Sequence, residues 1–203
     1  MNSAALYLKR ALEELVADFE KDPGDYSSGP YWNEQDLVCD LASRVKKGLK
    51  EKLPNGEIRL DVSLRDEDWP IMRSARGREW IKRWRRKRIV DLIILEDEKK
   101  DGEEPKWPIS VVAEVKFSYR KPTNKRKWIK QVEDEIGKDA QRLRDLKEMG
   151  LCREAFFFHL DEYNIGENRK RMEKFIREKC GQLVRFYHEG KALHSSRPAR
   201  PSA

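Results

Sequence analysis

The sequence predicts a single α/β domain in which a mixed β-sheet is flanked by helices. Three observations predict it. Apolar residues recur at helical spacing through the first fifty residues, three short strand-like runs then follow in succession, and a long amphipathic segment separates the third run from a fourth. Sequential strands tend to pair, and a strand–helix–strand connection brings two strands together in parallel, so this order calls for a mixed sheet. At 203 residues with 38% hydrophobic and 40% charged, the chain suits one core built from a few concentrated apolar runs. It is too rich in Trp, Phe, Ile and Leu for a disordered chain.

The elements read in order as follows. Over 2–21, Leu6, Leu8, Leu12, Leu15, Val16 and Phe19 mark a helix that Pro23-Gly24 stops. A loop through Gly29-Pro30 leads to a second helix, which starts near Asn33 as N-cap and carries the stripe Leu37, Val38, Leu41, Val45, Leu49. After the turn signal Pro54-Asn55-Gly56, residues 57–64 alternate apolar and polar, a strand with one buried face. Residues 65–87 form a basic insertion with Trp69, Trp80 and Trp84. Residues 88–95 (RIVDLIIL) and 109–117 (ISVVAEVKF) read as central strands around an acidic loop, and a helix over about 127–149 presents Ile129, Val132, Ile136, Ala140 and Leu143 on one face. A strand at 154–161, a helix at 165–180 and a strand at 183–189 complete the order α-α-β-β-β-α-β-α-β. The domain thus spans 1–192, with a helical extension over 1–30, and the Ser-, Pro- and Arg-rich tail 193–203 is expected to be disordered.

Composition narrows the class. Cys39, Cys152 and Cys180 are widely spaced and form no CxxC pair, which argues against a zinc ribbon or a thioredoxin-like site and suits buried thiols in a reducing compartment. No signal-peptide core and no membrane-length apolar run is present, so the expected location is the cytoplasm, with association to the nucleoid an extension of that expectation. No Walker loop, GxGxxG or HExxH occurs, which removes support for nucleotide hydrolysis and zinc proteolysis. The net charge of +7 is unevenly spread. Arg73 to Arg88 holds nine basic residues and one acid, and Lys116 to Lys130 holds seven basic residues and none, leaving the rest of the chain near −8. A localised basic field with interleaved aromatics is the footprint expected for a phosphate backbone; a solvated basic face is the alternative.

Two central strands carry charges that an apolar strand ordinarily excludes. Asp91 lies inside RIVDLIIL, and Glu114 and Lys116 lie inside VVAEVKF. Burying an unpaired carboxylate is costly. Strand side chains alternate, so Glu114 and Lys116 share a face that Asp91 on a neighbouring strand can reach. Two carboxylates on adjacent strands, with the Val115 carbonyl as a further ligand, make an oxygen site for Mg²⁺ or Mn²⁺. A water held there attacks a phosphodiester at lowered pKa while Lys116 orients the nucleophile or offsets charge. A structural ion-pair network between strands is the competing reading.

Asp91 followed by Glu114-Val115-Lys116 on successive central strands resembles the PD-(D/E)xK nuclease superfamily, the restriction-endonuclease-like fold. The likeness covers the elements from about 33 to 161, with Val90 in place of the proline of the motif's name. The resemblance implies that Asp91 and Glu114 bind metal, that Lys116 assists catalysis and that Glu34 on the preceding helix supports the site; an ordinary first-turn acid is the other reading of Glu34. It implies DNA as substrate. The basic windows supply the residues expected to contact a backbone: Arg83, Arg85, Arg86, Lys87 and Arg88 from the first, and Arg120, Lys121, Lys125, Arg126 and Lys127, which follow the ExK strand directly and would meet a backbone at the site edge; some members of the superfamily place a polar residue where Gln131 stands, although a plain surface glutamine is the better reading. Trp80 and Trp84, spaced i, i+4, suit stacking on an unpaired base, and equally packing into the core or a dimer contact. A homodimer is expected if both strands are cut, since that needs two sites. The rival reading is a nucleic-acid-binding module that kept the fold and lost the chemistry.

Overall fold

The protein is described as a computed structural model over residues 3–21, 34–52, 56–65, 69–85, 89–96, 109–118, 125–161, 171, 174–175, 177–181 and 184–189. Its elements are helices α1 (Ser3–Lys21) and α2 (Glu34–Lys52), strand β1 (Glu57–Ser63), a 3₁₀ turn (Pro70–Arg73), α3 (Ala75–Arg83), β2 (Ile89–Leu95), β3 (Val111–Ser118), α4 (Lys125–Glu148), β4 (Glu154–Asp161) and β5 (Val184–Glu189). The described residues between β4 and β5 are helical at 171, 174–175 and 177–180. Asn33 and the tail from 193 lie outside the described residues. No helix among the described residues is long and apolar enough to cross a membrane.

The five strands lie in the order β1-β2-β3-β4-β5. The pairs β1–β2 and β2–β3 are antiparallel, β3–β4 and β4–β5 parallel, so the sheet is mixed. The parallel half forms where helical segments separate the strands, because only a crossover long enough to hold a helix returns the chain in the same direction.

Side-chain alternation sorts the sheet into two buried faces. On one, Leu92, Ile94, Val111, Ala113, Val115, Phe156, Phe158 and Leu160 pack against α1 and α2. The extension α1 is part of this core, burying Ala4, Ala5, Leu8, Ala11, Leu12, Leu15 and Val16. Glu96 ties its start to the end of β2, accepting from the Ala4 N–H at 2.6 Å and from the Ser110 hydroxyl at 2.8 Å. On the other face, Ile93, Val112, Ala155, Phe157 and Val184 pack against Ile136, Ala140, Leu143 and Leu146 of α4. Cys152 and Cys180 are buried on this side, where burial pushes both thiols up to about 12 and leaves them protonated.

The basic insertion is a folded part of that second layer. Ser74 caps α3, its hydroxyl accepting from the Gly77 N–H at 3.0 Å. Trp69, Met72 and Trp80 enter the α4-side core. Gly77 is required by contact: a Cβ there would stand 2.4 Å from the Met72 Cα. The insertion is also tied to β1, where the Arg59 guanidinium lies 5.3 Å from the Trp69 ring centre and the Trp69 indole N–H donates to the Ser63 carbonyl at 3.2 Å.

Candidate active site

The three strand charges meet on the α4 face. Asp91 shares the side of Ile93 on β2, and Glu114 and Lys116 share the side of Val112 on β3. The β2–β3 pairing runs Ile94↔Val111, Ile93↔Val112, Leu92↔Ala113 and stops there. At the next position the Asp91 carboxylate takes the place of a backbone partner, accepting the Val115 N–H at 2.6 Å. The strands part where the carboxylate enters, and Asp91 lies close enough to Glu114 for each to affect the other's charge. On the far side of β2, Asp61 of β1 adopts φ 49°, a left-handed backbone that Asp tolerates better than most residues. Beyond it, Val62 and Val90 join the α4-side core.

Helix α4 lays two further charges on the cluster. Arg142, 4% exposed, pairs with Glu114, 1% exposed, and also approaches Asp139 at 3.4 Å. Asp139 lies 3.7 Å from the Lys116 ammonium, and Glu34, from the first turn of α2, accepts from the same ammonium at 2.9 Å. Lys116 is thus held between the two helical layers, with its side chain partly open to solvent.

The electrostatics follow from this crowding. Burial is the largest influence on Glu114; with the neighbouring charges of Asp91 and Asp139 it pushes the carboxyl well above its ordinary range, against the pull of Arg142 and Lys116. Burial likewise raises Asp91, opposed by Lys116 and by the Val115 hydrogen bond. Burial alone would lower the Lys116 pKa, but Asp91, Glu34, Asp139 and Glu114 together outweigh it, and the ammonium is held above its ordinary value. Lys116 therefore acts as a fixed cation and not as a base. Burial disfavours the anionic form of both strand carboxyls, a cost that a further bound cation would lower.

Several expected residues fall elsewhere, and the aromatic reading needs correction. Trp80 is fully buried, its indole N–H donating to the Arg142 carbonyl at 3.4 Å, and no base can stack on it. Trp84 is half-buried with its N–H on Asp145 at 2.9 Å. Both indoles belong to the α3–α4 joint, because large apolar rings at i, i+4 on a short helix are the surface it has to bury. Arg83 is committed to the same joint, bonding Asp145 at 2.9 Å and approaching Glu79 at 3.7 Å. Gln131 is exposed and donates to Glu135 on its own helix at 3.2 Å, so it is a surface residue. Arg85 is exposed just past α3. Val115 lends its N–H to the site and its side chain to the opposite core. Arg86, Lys87, Arg88, Arg120 and Lys121 lie outside the described residues; Lys125, Arg126 and Lys127 are described only as backbone of α4.

Sequence reasoning missed Asp139, Arg142 and Asp145. All three are buried charges on α4, at 3%, 4% and 2% exposure. Their signal was present: 139 and 142 continue the i, i+3 series from Ile136 into the apolar stripe, where charged residues have the same anomaly as Asp91 in its strand. Asp145 is satisfied by Arg83, Trp84 and Gln141 and serves the α3 joint, outside the site. His159 is buried in β4 and registers beside Lys116.

Comparison with protein-family models, with curated proteins and with solved structures finds no match. Among the described residues no group of three or more His, Cys, Asp or Glu is placed to hold a metal ion. The donor set that is present, Asp91 beside Glu114, suits the minimal requirement of Mg²⁺, which is commonly held by one or two carboxylates with waters completing its shell. The feature that does not suit it is Arg142, which already answers part of the Glu114 charge.

Proposed function

We propose that the protein is a metal-dependent nuclease of the restriction-endonuclease-like class that hydrolyses DNA phosphodiester bonds, with Mg²⁺ or Mn²⁺ as cofactor. One observation carries the reading: β2 parts from β3 at Asp91, and the Asp91 carboxylate, the Glu114 carboxyl and the Lys116 ammonium gather on one face at that break. Such a break weakens the sheet, buries the Glu114 carboxyl and half-buries Asp91 and Lys116, which stability alone does not favour.

Asp91 and Glu114 would hold the ion, which when bound supplies a water of lowered pKa. Lys116, kept cationic by its carboxylates, presents a fixed positive charge to a phosphate and stabilises the negative charge that builds on it during attack. Glu34 and Asp139 hold the ammonium in place from opposite helices. Lys116, like Asp91, is only half-buried, as a group that meets substrate requires.

The test is nicking of supercoiled plasmid DNA with Mg²⁺ or Mn²⁺. Wild-type protein should nick, EDTA should stop it, and Glu114→Ala, Lys116→Ala and Asp91→Asn should each lose at least about 100-fold, the scale of removing one preorganised electrostatic group. Wild-type protein that is inert with both metals, or variants as active as wild type, would sink the reading. The closed Arg142–Glu114 pair favours a second reading, a nucleic-acid-binding module without chemistry. It predicts salt-sensitive DNA binding and no metal-dependent nicking.

A further inference from the structure

We propose that Arg78, Lys82 and Arg85 form a cationic stripe by which the α3 insertion grips one strand of duplex DNA beside the carboxylate site. The inference rests on the nucleic-acid reading above and assigns the grip to particular residues of an added segment.

The two sides of α3 do different work. Gly77 and Trp80 are buried, Ile81 and Trp84 half-buried, and Arg83 bonds Asp145 of α4. These positions fix the side turned to the sheet and α4. Arg78 and Lys82 stand at i and i+4 of α3 and so share a different side, Arg85 follows in the turn just past the helix, and all three are exposed. Among the described residues none of the three makes an ion pair; Arg78 donates only to the Arg73 carbonyl. The acid of the helix, Glu79, lies on the Arg83 flank and approaches that residue.

The spacing fits a phosphate backbone. Arg78 and Lys82 are four helical residues apart, about 6 Å at ~1.5 Å each, close to two phosphate steps along one strand, about 7 Å at ~3.4 Å each, and Arg85 extends the row past the helix. The carrier is rigid, because the Ser74 cap, the close Gly77 contact and the Trp80 and Trp84 hydrogen bonds lock α3 onto the body. With the helix already fixed, only the three side chains lose freedom when a backbone docks on them. The location fits as well. Asp91 is the third residue of β2, and four peptide steps link Arg85 to Ile89, at most about 14 Å of chain. The last residue of the stripe is therefore within that reach of the strand that carries Asp91.

Fluorescence anisotropy of a labelled 20-base-pair duplex (about two helical turns), in EDTA from 50 to 200 mM salt (the range over which phosphate contacts show), tests the proposal. The triple variant Arg78→Gln, Lys82→Gln, Arg85→Gln should lower the slope of log affinity against log salt by about 2.7, at ~0.9 per phosphate contact. An equal loss of charge on the exposed side of α2, Lys46→Gln, Lys47→Gln, Lys50→Gln, should change it by less than about one contact's worth. The charge-keeping variant Arg78→Lys, Arg85→Lys should hold the wild-type slope, which separates lost charge from lost fold. The proposal is overturned if the two triple variants weaken binding alike, if the stripe variant binds as wild type does, if the charge-keeping variant loses the slope, or if wild-type binding is salt-insensitive or equally well competed by poly-glutamate. No divalent metal is present, so the nuclease reading is judged apart: wild-type protein that binds through the stripe but never nicks fails that reading alone, and wild-type protein that nicks while the stripe variant binds normally fails this one alone.

Discussion

Arg142 and Glu114 face each other with almost no solvent between them, and what one does without the other is the sharpest question at the residue scale. Removing one partner of a buried pair leaves an uncompensated charge and typically costs 3–5 kcal/mol, roughly. Arg142→Met should therefore destabilise by about that amount in urea. Arg142→Met with Glu114→Gln should recover most of it, because the stranded carboxylate is gone; a double variant as unstable as the single one would show that Arg142 acts through packing. The carboxyls also set a pH dependence. Asp91 and Glu114 are both raised by burial, so the folded state binds their protons more tightly than the unfolded state does. That contribution is fully present below the ordinary carboxylate range near pH ~4 and is lost as pH rises through the raised values. Metal-free protein should show a melting midpoint that falls from pH 5 toward pH 8, and Asp91→Asn, which keeps an acceptor for the Val115 N–H, should flatten that fall; equal slopes would mean that other groups govern it. The charged strand positions themselves were legible in the sequence, because Asp, Glu and Lys are conspicuous in a run of Val and Ile. The α4 partners were not read, because a charged residue on a helix is unremarkable until its neighbours show that it points inward.

Gly77 decides between two opposed effects at the scale of the element. By helix propensity alone, Gly77→Ala should stabilise α3 by about 1 kcal/mol. The Met72 backbone lies where the new methyl would go, at 2.4 and 2.5 Å from Cα and carbonyl oxygen, and forcing a methyl into packed backbone costs typically 1–3 kcal/mol, about. The clash exceeds the propensity gain, so Gly77→Ala should lower stability and loosen the joint with α4; a stabilised variant would mean that the 3₁₀ turn moves aside freely. The insertion is also where sequence reading fell short. Its Trp residues at 80 and 84 fit a surface for bases as well as a surface for α4, and periodicity over nine helical residues does not choose between them. Strands and long helices were legible because their apolar runs have only one way to be buried; β4, with Phe156 and Phe158 on one face and Phe157 on the other, needs a core on both sides.

The two cores depend on each other across the sheet at the scale of the whole molecule. The face under α1 and α2 and the face under α3 and α4 share every central strand. Helix α1 resembles an appended segment in sequence, yet it covers seven residues' worth of one core and is fastened by Glu96. Deleting residues 1–21 should therefore unfold or aggregate the protein instead of trimming it, checked by circular dichroism and size-exclusion chromatography. A shortened chain that stays monomeric with an unchanged melting midpoint would show that α2 closes the sheet unaided.

The sequence by itself determined the mixed α/β class, the bounds of the strands to within a residue or two, and the identity of three charges that do not belong in apolar strands. These follow from local pattern: alternation, helical spacing and composition act over a few residues and need no partner to be read. Only the tertiary structure decided that the three charges share one face, that β2 opens from β3 to admit Asp91, that Arg142 and Asp139 close on the cluster from α4, and that Trp80 belongs to the core. Those outcomes depend on which residues meet across long separations in the chain, and side chains 28 or 62 residues apart come together through packing that no local pattern encodes.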